Sequence, residues 1–467
     1  MADPAVSRLP ADVLREKAAA LGCQPEDQSF AVAMDTEDPL HGLREDFHIP
    51  KMKDLPPTDP TLVCADDDCV YMCGNSLGLQ PKGVRKYLEQ DMDSWAKYGV
   101  FGHFEGARPW ALCDEYVIEQ SARIVGARQE EVACMNGLTV NLHLLLVSFY
   151  RPTATRHKIL IEGKAFPSDH YAMESQIRFH GYDPATSLLL AEPRPGEHTL
   201  RTEDIVSLIE REGDAIAVVV FSGVQYYTGQ LFNMAAITKA GHSKGCVVGF
   251  DLAHAVGNAE LHLHDWGVDF ACWCTYKYMN SGAGGLAGAF VHENHADATD
   301  APRFVGWWGH QMSTRFQMDN KLDLSPGVNG FRLSNPPPLL VSPLLASLDV
   351  FQKTTMADLR RKSVLLTGYL ELLIKKFYPK PAAGEVTGRP WVDIITPSDP
   401  AQRGCQLSLM FSMPIGSVFT QLERRGVACD KREPNVLRIA PAPLYNSFSD
   451  VHRFVSLLGQ SLQAAQL

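Results

Sequence analysis

The sequence lacks the long apolar runs that membrane-spanning segments need. Its longest such run, around residues 215–220, has the length of a single strand, whereas a helix that crosses a bilayer requires about 20 consecutive apolar residues. Residues 1–10 include Asp3 and Arg8 and carry no apolar stretch of the kind that marks a secretory signal. We therefore expect a cytoplasmic protein without a membrane partner.

Positive charge is in short supply as well. The 467 residues include 43 Lys and Arg against 54 Asp and Glu, which leaves a net charge of −11. Because nucleic acids and anionic membrane surfaces attract basic proteins, this balance argues against a nucleic-acid partner. Hydrophobic residues make up 45% of the chain, a share that is ordinary for globular proteins and argues against wholesale disorder.

The cysteine pattern argues against a disulfide framework. The 11 cysteines are an odd number, and the sequence has no C-x-x-C pair, so we expect free thiols in a reducing compartment. Cys272 and Cys274 lie in an apolar run and are interpreted as core residues. His262, His264 and Asp265 are interpreted as a loop with solvated side chains, and no metal site is predicted.

Strand-like and helical patterns alternate from about residue 70, which is typical of an α/β fold with a mostly parallel sheet covered by helices. A proline run at 336–338 precedes patterns of a smaller unit. We predict an N-terminal arm at 1–70, a large α/β domain at 71–335 and a small C-terminal α+β domain at 336–467. The predicted strands span 158–162, 215–221, 246–251, 268–275, 391–396, 406–412 and 436–440, and the predicted helices include 81–98, 140–150, 168–179, 233–244 and 417–425.

Polar residues follow several of the predicted strands, at the end where parallel sheets bind ligands. Asp251 ends one strand, Lys277 follows the next, and Phe166 follows an earlier one; an NGLT segment at 136–139 precedes a helix. Pyridoxal 5′-phosphate requires a lysine for a Schiff base, an acid for its pyridine nitrogen, a helix N-terminus for its phosphate and an aromatic ring on its face. The four features together predict a site for this cofactor.

Short motifs along nearly the whole chain identify the family. They are GNSLG at 74–78, NGLTVN at 136–141, FPSDH at 166–170, FSG at 221–223, GFDLAHAVG at 249–257, YKY at 276–278, GWWGH at 306–310, RLSNP at 332–336 and RIAPAPLY at 438–445. In these motifs the chain resembles the kynureninases, which are fold-type I pyridoxal-phosphate enzymes of the aminotransferase superfamily. FDLAHA with YKY is fairly specific within the superfamily, and FPSDH with the region around Trp307 and Asn335 narrows the resemblance to this family.

The resemblance implies a fold-type I architecture, pyridoxal 5′-phosphate as cofactor, and hydrolysis of L-kynurenine and 3-hydroxy-L-kynurenine in tryptophan breakdown toward NAD. It implies a homodimer, with Trp307 and Asn335 donated across the interface. Lys277, Tyr276 and Asp251 would be catalytic. The implied cofactor-binding residues are Leu138, Thr139, Phe166, Asp169, Ser222, Asp251, His254, Tyr276, Lys277, Trp307 and Asn335, and the implied substrate-binding residues are Ser76, His103, Ser334, Asn335 and Arg438.

Individual roles follow from the same resemblance. Lys277 would bind the cofactor covalently, Asp251 would pair with its pyridine nitrogen, Tyr276 would relay a proton, and Arg438 would hold the substrate α-carboxylate with its planar guanidinium.

The implied ring site also suggests a substrate preference. His103, Ser334 and Asn335 would surround the substrate ring, and we expect them to favour the 3-hydroxy substrate because a buried hydroxyl needs a hydrogen-bond partner. The alternative is that Ser334 and Asn335 only cap the turn into the prolines that follow.

Three other functions remain open from the residues alone. A cysteine desulfurase or an aminotransferase would share the fold, although many desulfurases have His where Tyr276 precedes Lys277. The segment GAGGLA at 282–287 matches a dinucleotide-binding pattern, but a strand-like run follows it where that motif needs a helix. A binding module without activity would be expected to lack the Lys or the Asp. A yellow purified protein would favour the pyridoxal-phosphate enzymes.

Overall fold

The computed structural model describes residues 8–298, 300–382, 385 and 388–466. The chain forms two compact units. The larger comprises Pro81–Tyr226 and Leu231–Lys353, and the smaller comprises the described residues of Met1–Gln80, Tyr227–Gln230 and Thr354–Leu467. The domain boundaries predicted near residues 70 and 336 stay predictions, because compact packing does not test which segments fold independently. Every described helix is too short or too polar to cross a membrane.

A seven-stranded sheet forms the centre of the larger unit, which confirms the predicted mostly parallel sheet. Among the described strands of this sheet, Ala287–Val291 alone runs in the opposite direction to the others. The remaining strands point the same way, so their carboxyl ends meet at one edge. In spatial order the strands are Val132–Met135, Ala287–Val291, Phe270–Cys274, Val247–Asp251, Ile216–Ser222, Lys158–Glu162 and Leu188–Ala191.

Helices of the larger unit pack on this sheet through apolar side chains. Leu142 and Leu146 of one helix and Ile177 of another share a core with Ile159 and Phe270 of the strands. This burial is the main source of helix stability, because isolated helices of this length are marginal in water. The helices are Gly83–Tyr98, Ile118–Val125, Leu138–Phe149, Pro167–Phe179, Pro184–Ser187, Thr202–Glu212, Met234–Ser243 and Pro338–Phe351.

The smaller unit is an α+β layer pair, in agreement with the predicted fold class. Its main sheet is antiparallel, with the spatial order Val392–Ile394, Leu407–Phe411, Val436–Ile439 and Asp430–Arg432. Val70–Tyr71 and Val427–Ala428 form a parallel pair. Its helices are Pro10–Ala20, Gln28–Glu37, Met356–Phe377, Ile415–Arg424 and Phe448–Ala464, and the further short strands are Phe47–His48 and Gln80–Pro81.

The structure decides two of the open points from the sequence. The GAGGLA segment leads into strand Ala287–Val291 and not into a helix, so the context of a dinucleotide-binding motif is missing. Cys272 and Cys274 are buried in strand Phe270–Cys274, and all 11 cysteines are free thiols. The core interpretation of this pair is therefore confirmed.

Candidate active site

Three neighbouring parallel strands end in polar residues at one edge of the sheet. Lys158–Glu162 ends at Glu162, Ile216–Ser222 ends at Ser222, and Val247–Asp251 ends at Asp251. Ser222 and Asp251 are register partners across their two strands. The strand interiors are apolar because helices cover both faces, so the first polar positions fall where each strand emerges.

Lys277 reaches this edge from the next strand. It lies three residues beyond strand Phe270–Cys274, and its Nζ is 3.0 Å from His254 Nε2. His254 is buried and follows Asp251 by three residues. The Lys277 Nζ also lies 5.9 Å from the ring centroids of both Phe166 and Tyr276. A primary amine therefore faces an imidazole and two aromatic rings.

Two buried carboxyl groups lie beside this amine. Asp251 Oδ1 accepts a hydrogen bond from Ala253 N at 2.7 Å, which fixes the side chain at the start of the turn. Burial, followed by the negative charge of Asp251, raises the pKa of Asp169 well above its ordinary value, while the Lys277 ammonium opposes the rise. Asp169 Oδ1 is buried without a hydrogen-bond donor among the described residues.

A third acid, Glu162, is a site residue that the sequence analysis missed. It is buried, and it accepts hydrogen bonds from Ser222 N at 3.2 Å and from Ser222 Oγ. Burial raises the pKa of Glu162 to about 7, although the Ser222 hydroxyl opposes the rise. Its position at a strand end was the available signal, but a single Glu after an apolar run is usually a solvated turn residue.

Two helix N-termini meet near the same edge. Leu138 and Thr139 are the first residues of helix Leu138–Phe149, and the Thr139 and Ser168 hydroxyl oxygens are 2.8 Å apart. The helix predicted over 168–179 begins one residue earlier, at Pro167, with Phe166 as its N-cap, since proline suits the first helical position. Ser168 thus contributes its hydroxyl from the first turn of this helix.

The residues at this edge fit pyridoxal 5′-phosphate. Three buried carboxyl groups lie at this edge together with one lysine, and burial raises the pKa of Glu162 and Asp169, so a protonated pyridine ring nearby would favour the charged form of these acids. Asp169 Oδ1 lacks a donor that a ligand could supply. Phe166 is 43% exposed, so its ring is available to pack on a planar ligand. Unsatisfied backbone N–H groups at a helix start suit a phosphate.

Other predicted residues of the larger unit have contacts of their own. Trp307 is 46% exposed and donates from Nε1 to Arg315 O at 3.0 Å. The His103 ring packs edge-on against Trp110, with centroids 5.6 Å apart. Ser334 and Asn335 are exposed. The structure of one chain therefore does not by itself place these four side chains around Lys277.

Arg438 and Ser76 lie in the smaller unit. Arg438 is buried in strand Val436–Ile439 and donates to Asp430 through Nε at 3.0 Å, with a second nitrogen 2.8 Å from the other carboxylate oxygen. This two-point pair holds the guanidinium plane in one orientation. Ser76 is half-buried, two residues after Gly74, where an added Cβ would collide with the Tyr445 hydroxyl.

The interpretation of His264 as a solvated loop residue is wrong. His264 Nδ1 is 2.9 Å from the buried Glu131, and with His292 these residues place possible metal-ligand atoms within 4.8 Å of one another. The atoms are already engaged, because Glu131 also accepts from Glu293 N at 2.9 Å and His292 Nδ1 accepts from Asn294 N at 3.1 Å. We interpret the cluster as a hydrogen-bonded structural group. Glu131 and His292 are too distant in sequence for a local motif.

Two family models and several full-length relatives match this chain. A family model described as class-V aminotransferase matches residues 114–382, and one described as the kynureninase C-terminal domain matches residues 359–458. Kynureninase of Mus musculus is 61% identical over 464 residues, which cover 99% of this chain and 99% of that protein. Kynureninase of Homo sapiens is 59% identical with the same coverage.

A solved structure of the cysteine desulfurase CsdA from Escherichia coli has a TM-score of 0.69 to this chain. The similarity covers 91% of this chain and 98% of that one at 16% identity, and at that identity it shows a common fold alone. The predicted fold-type I architecture is thereby confirmed. Since two relatives match almost every residue at about 60% identity, the chain belongs to the kynureninase family.

Proposed function

We propose that this chain hydrolyses the Cβ–Cγ bond of L-kynurenine and of 3-hydroxy-L-kynurenine, with pyridoxal 5′-phosphate as its cofactor. One water is consumed, and the products are L-alanine with anthranilate or 3-hydroxyanthranilate. The observation that carries the proposal is the Lys277 amine, 3.0 Å from His254, beside buried acids at the strand ends of a kynureninase-family chain. The reaction belongs to tryptophan breakdown, and we propose that it serves NAD biosynthesis.

When bound, the cofactor supplies an electron-accepting ring that stabilises the carbanion left after a proton leaves the substrate Cα. Asp251 would hold a proton on the pyridine nitrogen, since a nearby carboxylate favours the charged form. Phe166 would pack on the ring, and Leu138 and Thr139 would bind the phosphate at their helix N-terminus. Asp169, Ser222 and His254 would bind the polar groups around the ring.

Two residues would handle protons. Lys277 would hold the cofactor and, once released, its Nζ would remove the proton from the substrate Cα. Tyr276 would relay protons in the later steps. Burial, with a further contribution from Cys274, raises the pKa of the Tyr276 phenol above its ordinary value. Tyr276 therefore keeps its proton at neutral pH and acts as a donor.

We propose that Arg438 binds the substrate α-carboxylate, as its fork geometry suits a planar anion. Asp430 already orients the guanidinium. His103, Ser334 and Asn335 would contact the substrate ring, and Ser76 would contribute to the same site.

A homodimer is supported by exposed apolar rings on the larger unit. Phe101 is 69% and Phe104 61% exposed. The Phe316 ring lies 5.3 Å from Phe104 and 5.6 Å from Trp307. Contiguous exposed apolar surface usually marks an interface, and a second copy of the chain would bury it. Trp307 and Asn335 would then reach the partner's cofactor.

Reductive labelling tests the assignment of Lys277. Borohydride should fix the cofactor to wild type at Lys277, as read by peptide mapping, and Lys277→Ala should lose both labelling and turnover of kynurenine. Lys164→Ala is a control, because Lys164 is exposed in the same unit. Labelling of a different lysine would refute the assignment, and turnover of L-cysteine in place of kynurenine would refute the proposed substrate.

Mixing two inactive variants tests the shared site. Lys277→Ala and Trp307→Ala chains should each lose turnover, but hybrid dimers contain one site with both residues intact. An equal mixture should therefore recover up to about a quarter of wild-type activity. If no activity returns although hybrids form, Trp307 does not act across an interface.

A further inference from the structure

Glu162 is a buried acid that the proposed mechanism does not use. Its carboxylate accepts from the backbone N–H of Ser222 at 3.2 Å and from the Ser222 hydroxyl. Ser222 is the register partner of Asp251 on the neighbouring strand. Glu162 is thus hydrogen-bonded directly to Ser222, a residue that is proposed to bind the cofactor.

More acidic than basic side chains surround Glu162. Burial, with a contribution from Asp251, raises the pKa of Glu162 to about 7, and the hydrogen bonds from Ser222 limit the rise. Asp169 interacts electrostatically with Glu162 as well. On the edge strand side, the exposed Glu192 lies close to Gly163. Further titratable groups described at this edge are the Lys277 ammonium, the His254 ring, the Tyr276 phenol and the buried thiols of Cys272 and Cys274.

A serine hydroxyl has one proton to donate. When Glu162 is ionised, its carboxylate can only accept hydrogen bonds. The Ser222 hydroxyl then donates its proton to Glu162, and toward any other group Ser222 Oγ can only accept. When Glu162 is protonated, it can donate to Ser222 Oγ, which releases the Ser222 proton for another acceptor. The phenolic oxygen of pyridoxal 5′-phosphate, once ionised, is a group that only accepts.

We propose that Glu162 is a positioning residue whose proton decides whether Ser222 donates to or accepts from the ring oxygen of the bound cofactor. The inference rests on the proposed function, because it takes Ser222 to face that oxygen. Protonated Glu162 supports tight binding, since Ser222 can then donate. Ionised Glu162 withdraws this donor.

The test is the affinity of the apoprotein for pyridoxal 5′-phosphate from pH 6 to 8.5, followed by protein fluorescence and by the absorbance of the bound cofactor. In wild type the dissociation constant should rise about five- to tenfold across neutral pH, the equivalent of one hydrogen bond. In Glu162→Gln this rise should disappear, because the amide can donate to Ser222 at every pH. In Ser222→Ala the rise should also disappear, because the hydroxyl through which Glu162 acts on the cofactor has been removed.

Glu131→Gln is the matched control, since Glu131 is a buried acid of the same unit whose pKa is lowered, and it should keep the wild-type rise. If the rise persists in Glu162→Gln, the proton belongs to another group such as His254 and the proposal is refuted. A rise that persists in Ser222→Ala refutes it as well, and this variant decides alone should Glu162→Gln fail to fold. Wild type that binds no cofactor would instead refute the proposed function.

Discussion

Replacing Glu162 by Gln should change how the stability of the apoprotein depends on pH. Glu162 has an ordinary pKa of 4.5 and a pKa of about 7 in the folded chain. The folded state therefore binds the proton more tightly than the unfolded state. A raised pKa contributes stability that is fully present below the unfolded pKa and is lost as pH rises through the folded pKa.

The magnitude follows from the interval between the two pKa values. About 2.5 pH units at ~1.4 kcal/mol per unit give about 3.5 kcal/mol of stability lost by wild type between pH 4.5 and pH 8. Gln cannot ionise, so Glu162→Gln lacks this loss. Relative to wild type, the variant should gain up to about 3.5 kcal/mol in free energy of unfolding as pH rises across that window. The pKa of Asp169 is raised in both proteins, so most of its contribution to the pH dependence of stability cancels when the variant is compared with wild type.

Unfolding of the apoproteins in urea at pH 5 and pH 8, at equal protein concentration, measures the difference. Glu131→Gln is a control of opposite sign. Hydrogen bonds from Arg128 N and His264 lower the pKa of Glu131 despite its burial, so the stability that Glu131 contributes is lost only as pH falls below about 4.5. Its difference from wild type should stay constant between pH 5 and 8. A constant difference for Glu162→Gln would refute the reasoning.

The remaining predictions concern turnover. Asp251→Asn should greatly reduce turnover with less effect on cofactor affinity, because the amide keeps the shape but loses the charge that protonates the pyridine nitrogen; near-normal kinetics would contradict this. Arg438→Lys should raise the KM for kynurenine, since an ammonium lacks the guanidinium fork. If the affinity for the decarboxylated amine falls by the same factor, Arg438 does not bind the α-carboxylate. His103→Trp combined with Asn335→Thr should lower the affinity for the 3-hydroxy substrate more than that for kynurenine, by roughly five- to a hundredfold. If both affinities fall by the same factor, the two residues only position the ring.

Much of the larger unit could be predicted from sequence because its signals are local. The strands that end at Glu162, Ser222 and Asp251 are apolar runs of strand length, and runs of this kind are typical of parallel sheets. The antiparallel pairing of Ala287–Val291 with Val132–Met135 joins segments about 150 residues apart, and no local pattern specifies such a partner.

The chemistry of the site divides in the same way. Lys277 and Asp251 could be predicted as site residues from sequence because each follows a recognisable strand in a recognisable motif. Sequence did not predict three contacts that the structure shows, namely Glu162 with Ser222, Thr139 with Ser168, and Glu131 with His264. Sequence determines which groups are present and which strand each follows. Only the tertiary structure decides which groups become neighbours and how much water they lose, and burial together with neighbouring charge sets their pKa values.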